Sequence, residues 1–113
     1  MEKIKITIEI KNKNDQYFYE GIATLNKDII SYSEDETTTI YDKKINRLIK
    51  KDKEKKILID FKNKNMTINI DNNVLTIDID LIELYSSEEL IKAVYKIDED
   101  IIEMIIRINK VLD

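Results

Sequence analysis

Three side chains in this sequence are placed to act together. Tyr32 and Glu34 share strand parity with Ile30, and Arg47 shares parity with Ile45 and Ile49. If those isoleucines face a core, a phenol, a carboxylate and a guanidinium face it with them. An unpaired buried guanidinium costs on the order of several kcal/mol, so it must find an acid. The expected contact is a charge-assisted hydrogen bond from Arg47 to Glu34, with Tyr32 beside it, at one end of the fold. Such a cluster is either part of a ligand site or an internal plug that sets strand register. The plug is the simpler role, because buried ion pairs are weak evidence of function. Tyr95 joins the candidates: a cavity lined by Tyr32 and Tyr95 would favour a ligand.

Other constellations are weaker. Residues 42–64 hold ten basic side chains against four acidic ones, a local excess of +6, which leaves −10 for the rest of a chain whose net charge is −4. Such a stretch attracts phosphates, but its one aromatic, Phe61, is no stacking platform for single strands. Nucleic acid is therefore not the expected partner, and phosphate contact through residues 43–64 is a weaker alternative. Tyr17, Phe18 and Tyr19 are consecutive, so at least one must face outward, and Gly21 follows as the mark of a bulge or a close approach. Asp78 and Asp80 alternate on one strand face, without the spacing of a calcium loop.

Composition excludes whole classes of chemistry. The 113 residues contain no Cys, His, Trp or Pro and a single Gly. Disulfides, Cys/His zinc sites, His-activated nucleophiles, P-loops and dinucleotide fingerprints are all ruled out. Acid–base work would fall to Glu34, a lysine or a tyrosine, and no feature demands it, so no catalytic residue, metal or cofactor is assigned. Hydrophobic content of 42% beside 37% charged residues describes a folded single domain. No apolar run is long enough to span a bilayer and no signal core is visible, so the expected setting is the cytoplasm.

The elements that must position these residues are strands. Ile occurs 24 times, and its β-branched stem suits a pleated surface. Ile4, Ile6, Ile8 and Ile10 alternate with polar residues over 3–11. Further strands are expected at about 16–25, 28–34, 37–41, 44–50, 57–61, 66–70 and 74–84. With so little glycine, the turns fall to Asn12, Asn14, Asn26, Asn63, Asn65, Asn72 and Asn73, as Asn tolerates the left-handed region. Over 74–84 the apolar parity switches between Leu81 and Ile82, which predicts a bulge there. The last 28 residues fit two periods. Ser86-Ser87-Glu88-Glu89 matches a helix capping box, with an apolar stripe running on to Val111. Alternation instead gives strands at about 88–97 and 100–109, and the β-branched excess favours these. The expected fold is an all-β antiparallel meander closing into a barrel of about 8–10 short strands.

The run Ile29-Ile30-Ser31-Tyr32-Ser33-Glu34, the threonine cluster after it, Ile45-Asn46-Arg47-Leu48-Ile49 and the late Ala93-Val94-Tyr95-Lys96-Ile97 together resemble the YwiB-like family. These are small bacterial calycin-type proteins of unknown function. The resemblance implies a lipocalin-like barrel and supplies no activity. Glycines that the family carries after the basic residue of the fifth strand and in a later turn are absent here. Two functions are then expected. One is a non-catalytic module that takes a small apolar or amphipathic ligand at the barrel mouth. The other is a structural or partner-binding protein with a filled interior, including a homodimer joined through a strand edge.

Overall fold

The structure, a computed structural model, describes residues 1–110; Val111 lies outside them. Among the described residues there is no helix, and none therefore that could cross a membrane. Eleven strands follow one another: β1 (Glu2–Lys11), β2 (Gln16–Asn26), β3 (Ile29–Glu34), β4 (Thr37–Asp42), β5 (Arg47–Lys51), β6 (Lys55–Asp60), β7 (Asn65–Ile70), β8 (Asn73–Asp78), β9 (Asp80–Ser86), β10 (Leu90–Ile97) and β11 (Asp100–Lys110). All the paired strands run antiparallel, so the fold is the all-β meander that the two-residue period predicts.

The chain forms two compact units, and β2 runs from one into the other. In the first unit (residues 24–78, with Met1 and Glu2) the strand order is β8-β7-β6-β5-β4-β3 and then the end of β2. Its core face is built from registered rows. Ile30, Tyr41, Leu48, Ile59, Met66 and Ile77 stand opposite one another in turn from β3 to β8. In the second unit (residues 3–23 and 79 onward) the order is the start of β2, then β1-β11-β10-β9. There Ile8 faces Ile106, which faces Ile91, while Ile10 faces Met104, which faces Ala93. Ile8, Ile91, Ala93 and Met104 are wholly buried, so the C-terminal isoleucines close this core as strands.

Ser87 explains why the capping motif makes no helix. Its Oγ accepts the N–H of Leu90 at 3.1 Å and that of Glu89 at 3.3 Å. A helix N-cap uses this same bond; here it closes the turn into β10. The expected bulge is present. The β9–β10 register passes from Glu83 opposite Val94 to Leu81 opposite Tyr95, leaving Ile82 unpaired and exposed. The single strand expected over 74–84 breaks instead at buried Ile79, which raises the strand count to eleven. Gly21 marks a close approach, since the Tyr19 ring lies where a side chain would project.

The turns correct the sequence reading. Of the asparagines expected at positive φ only Asn72 adopts it, beside Asp71, in the two-residue β7–β8 turn. Lys27, Asp35, Asn46, Lys64 and Asp98 take up the remaining left-handed positions. Asn12 works through its side chain instead, with Oδ1 accepting the N–H groups of Asn14 and Asp15. A lysine gains nothing from the left-handed region that offsets its Cβ clash. Lys64, at φ 59° and exposed, is the clearest case. Lys64→Gly is expected to raise stability by about 0.5–1 kcal/mol, relief of the clash exceeding the added chain entropy. A urea midpoint that falls at unchanged m-value contradicts this.

Candidate functional site

The second row of the first unit's core face runs Tyr32, Thr39, Lys50, Ile57, Ile68, Leu75 across β3 to β8. Tyr32 and Thr39 are buried, Lys50, Ile57 and Ile68 are half-buried, and Leu75 is 57% exposed. Glu34 lies on the same face one step along β3, opposite Thr37. Lys50 lines a cleft of about 220 Å³ together with Thr37, Lys51, Asp52, Lys55 and Ile57. This face therefore carries an ammonium where the closed core gives way to half-buried isoleucines and an exposed leucine.

Lys50 is electrostatically unusual. Burial disfavours its charge, Glu34 works the other way, and Lys55 adds repulsion; the balance holds its pKa below the ordinary lysine range. A half-desolvated ammonium attracts an anion more strongly than a fully hydrated one does.

Tyr32 and Glu34 thus share a face as expected, but the cations on that face are Lys50 and, at its edge, the exposed Lys55. Arg47 lies on the opposite face, and its Nη2 donates to Asp60 Oδ2 at 2.9 Å. The expected Arg47–Glu34 contact is thereby corrected. The parity argument took Ile45 as a core residue, whereas Ile45 lies in the β4–β5 turn and is exposed. Asn46, at positive φ, resets the alternation, β5 starts at Arg47 rather than near 44, and Leu48 is its buried anchor. Anchoring on Leu48 would have turned Lys50 inward from sequence alone.

Asp60 was missed as well. It is 5% exposed, and besides Arg47 it accepts the Asn63 N–H at 3.0 Å and the Asn63 Nδ2 at 2.8 Å. Burial pushes its pKa up, but the two Asn63 bonds and Arg47 outweigh that and hold it below the usual carboxylate range. An Asx turn at the end of β6 is a structural role, and Arg47 belongs to it.

Tyr95 lies in the second unit, opposite Leu81 and Ile102. Burial pushes its phenol up to about 12. It lines a cleft of about 260 Å³ with Tyr17, Ile10, Ile102 and the polar β1–β2 turn. Phe18, between the two tyrosines of its run, points outward. Phe61 is wholly buried against Tyr41, so the basic stretch presents no ring for a base to stack on. Asp78 and Asp80 belong to different strands, and among the described residues no group of three acids is placed to hold a metal ion. Against known proteins, no family model, no curated protein and no solved structure matches this chain.

Proposed function

We propose that this chain is a non-catalytic binding module for a small amphipathic molecule with an anionic head and an apolar tail. One observation carries the reading: Lys50 stands on the core face of the first unit, where buried Tyr32 and Thr39 give way to half-buried Ile57 and Ile68 and exposed Leu75. The head, a carboxylate or a phosphate, meets the ammonium, and the tail covers the apolar row. Covering about 100 Å² of apolar surface contributes roughly 2.5 kcal/mol, so the tail matters as much as the charge. The YwiB-like resemblance and a cytoplasmic setting belong to the same proposal. Displacement of anilinonaphthalene sulfonate by decanoate, decyl phosphate and decanol tests it. Lys50→Met is expected to weaken both anions about tenfold, the worth of one charge-assisted hydrogen bond, and to leave decanol unchanged. Equal affinity of decanoate for Lys50→Met and the parent chain overturns the reading.

A second reading, homodimerisation through a strand edge, is favoured by the ends of the strand order. Neither β8 nor β9 has a hydrogen-bonded neighbour on its outer side among the described residues. Such edges recruit other strands.

A further inference from the structure

We propose that β8, and not β9, pairs with β8 of a second copy of this chain, antiparallel and centred on Thr76; the proposal rests on the strand-edge reading above. The two edges differ in how they are guarded. The β9 edge carries Asp80 and Glu83 and is kinked by the bulge at Ile82, three devices that discourage pairing. The β8 edge has no proline and no bulge, and its one charge, Asp78, stands at its very end. Val74 is 64% and Leu75 57% exposed, on opposite faces of the strand. A regular edge whose middle, Val74 to Ile77, carries no charge is the kind that adds a strand.

Hairpin geometry fixes which backbone groups are free. The β7–β8 turn has two residues, Asp71 and Asn72, both at positive φ, and Ile70 opposite Asn73 closes it. In such a hairpin the closing pair is hydrogen-bonded, and bonded pairs then alternate along the ladder. Asn73, Leu75 and Ile77 therefore bond to β7, while Val74, Thr76 and Asp78 turn their N–H and C=O groups to the open side. A two-fold axis normal to the sheet keeps both faces in register, so facing residues must share parity. Centring on Thr76 sets it opposite its own copy and sets Val74 opposite Asp78, and each of these pairs exchanges two backbone bonds. Leu75 then faces Ile77 on the core face, which joins the uncovered rows of the two copies. No charge meets a like charge, and threonine opposite threonine is a favourable cross-strand pair.

Because the chain has no cysteine, Thr76→Cys is a specific probe. Hydrogen-bonded facing residues stand about 5.5 Å apart at Cα, within disulfide reach. Oxidised Thr76→Cys is expected to run as a covalent dimer, and Val74→Cys, which faces Asp78, to remain uncrosslinked. Sedimentation equilibrium of the parent chain is expected to show a dimer, and Thr76→Lys to raise its dissociation constant about tenfold or more at unchanged circular dichroism. A parent chain that stays monomeric overturns this proposal and the strand-edge reading together. A dimer unmoved by Thr76→Lys, or crosslinked by Val74→Cys instead, overturns the β8 assignment or its register and leaves an edge dimer standing.

Discussion

Asp60→Ala is expected to lower the unfolding free energy by about 3 kcal/mol, and Arg47→Met to cost about 1 kcal/mol or less. The asymmetry follows from what each side chain holds. Asp60 is nearly inaccessible and serves three donors: the Asn63 N–H, the Asn63 amide and Arg47. Removing it opens the turn from β6 to β7 and strands a guanidinium whose Nε is already buried without a partner. Removing Arg47, whose side chain is 36% exposed, leaves Asp60 with both Asn63 bonds and eliminates that orphaned donor. Asp60→Asn keeps the acceptor for the Asn63 N–H and falls between the two. The pH dependence has a definite sign. A carboxyl held below its unfolded pKa contributes stability above about pH 4, and loses it as pH falls through the folded value. The parent chain should therefore lose stability on acidification more steeply than Asp60→Asn. Urea unfolding at pH 7 and at pH 3 measures both effects, and a cost for Arg47→Met equal to that for Asp60→Ala refutes the assignment.

Most of the fold was legible because isoleucine is placed so regularly. Ile4, Ile6 and Ile8, and again Met104, Ile106 and Ile108, keep one parity through a whole strand, and every one of them is buried. Even the bulge could be read, since the parity change between Leu81 and Ile82 has no other economical cause. The candidate site was less legible for a local reason. Parity carries across a strand but not across a turn, and residues 43–46 form a turn whose last member sits at positive φ. Counting from Ile45 therefore sent Arg47 inward and Lys50 outward, the reverse of the structure. Asp60 was invisible because its partner Asn63 lies in the turn that follows, and sequence alone does not separate an Asx turn from a solvated acid. The uncovered end of the core face had no sequence signal either. Ile57, Ile68 and Leu75 have the same types and spacing as residues that are buried, and only the three-dimensional arrangement leaves the isoleucines half-covered and the leucine open.

The opposite end of that face is closed, and Tyr41 closes it. Its ring is 1% exposed and lies 6.4 Å from that of Phe61, and its hydroxyl donates to Asn46 Oδ1 at 3.1 Å. Asn46 in turn accepts the Phe61 N–H through its backbone carbonyl, so one side chain ties the β4–β5 turn to the end of β6. Burial, reinforced by the charge of Asp42, pushes the Tyr41 phenol well above the ordinary range and so favours its neutral, donating form. Tyr41→Ala is expected to cost about 4 kcal/mol, in line with emptying an aromatic site in a core. Tyr41→Phe keeps the ring, and water reaches half-buried Asn46, so its cost is about 1 kcal/mol or less. A phenol with a raised pKa binds more protons folded than unfolded, so stability falls as pH rises past about 10, and Tyr41→Phe flattens that fall. Because Tyr41 and Lys50 stand in different rows, Tyr41→Phe should leave decanoate affinity unchanged. A Tyr41→Phe chain as unstable as Tyr41→Ala would mean that the hydroxyl, and not the ring, secures this end.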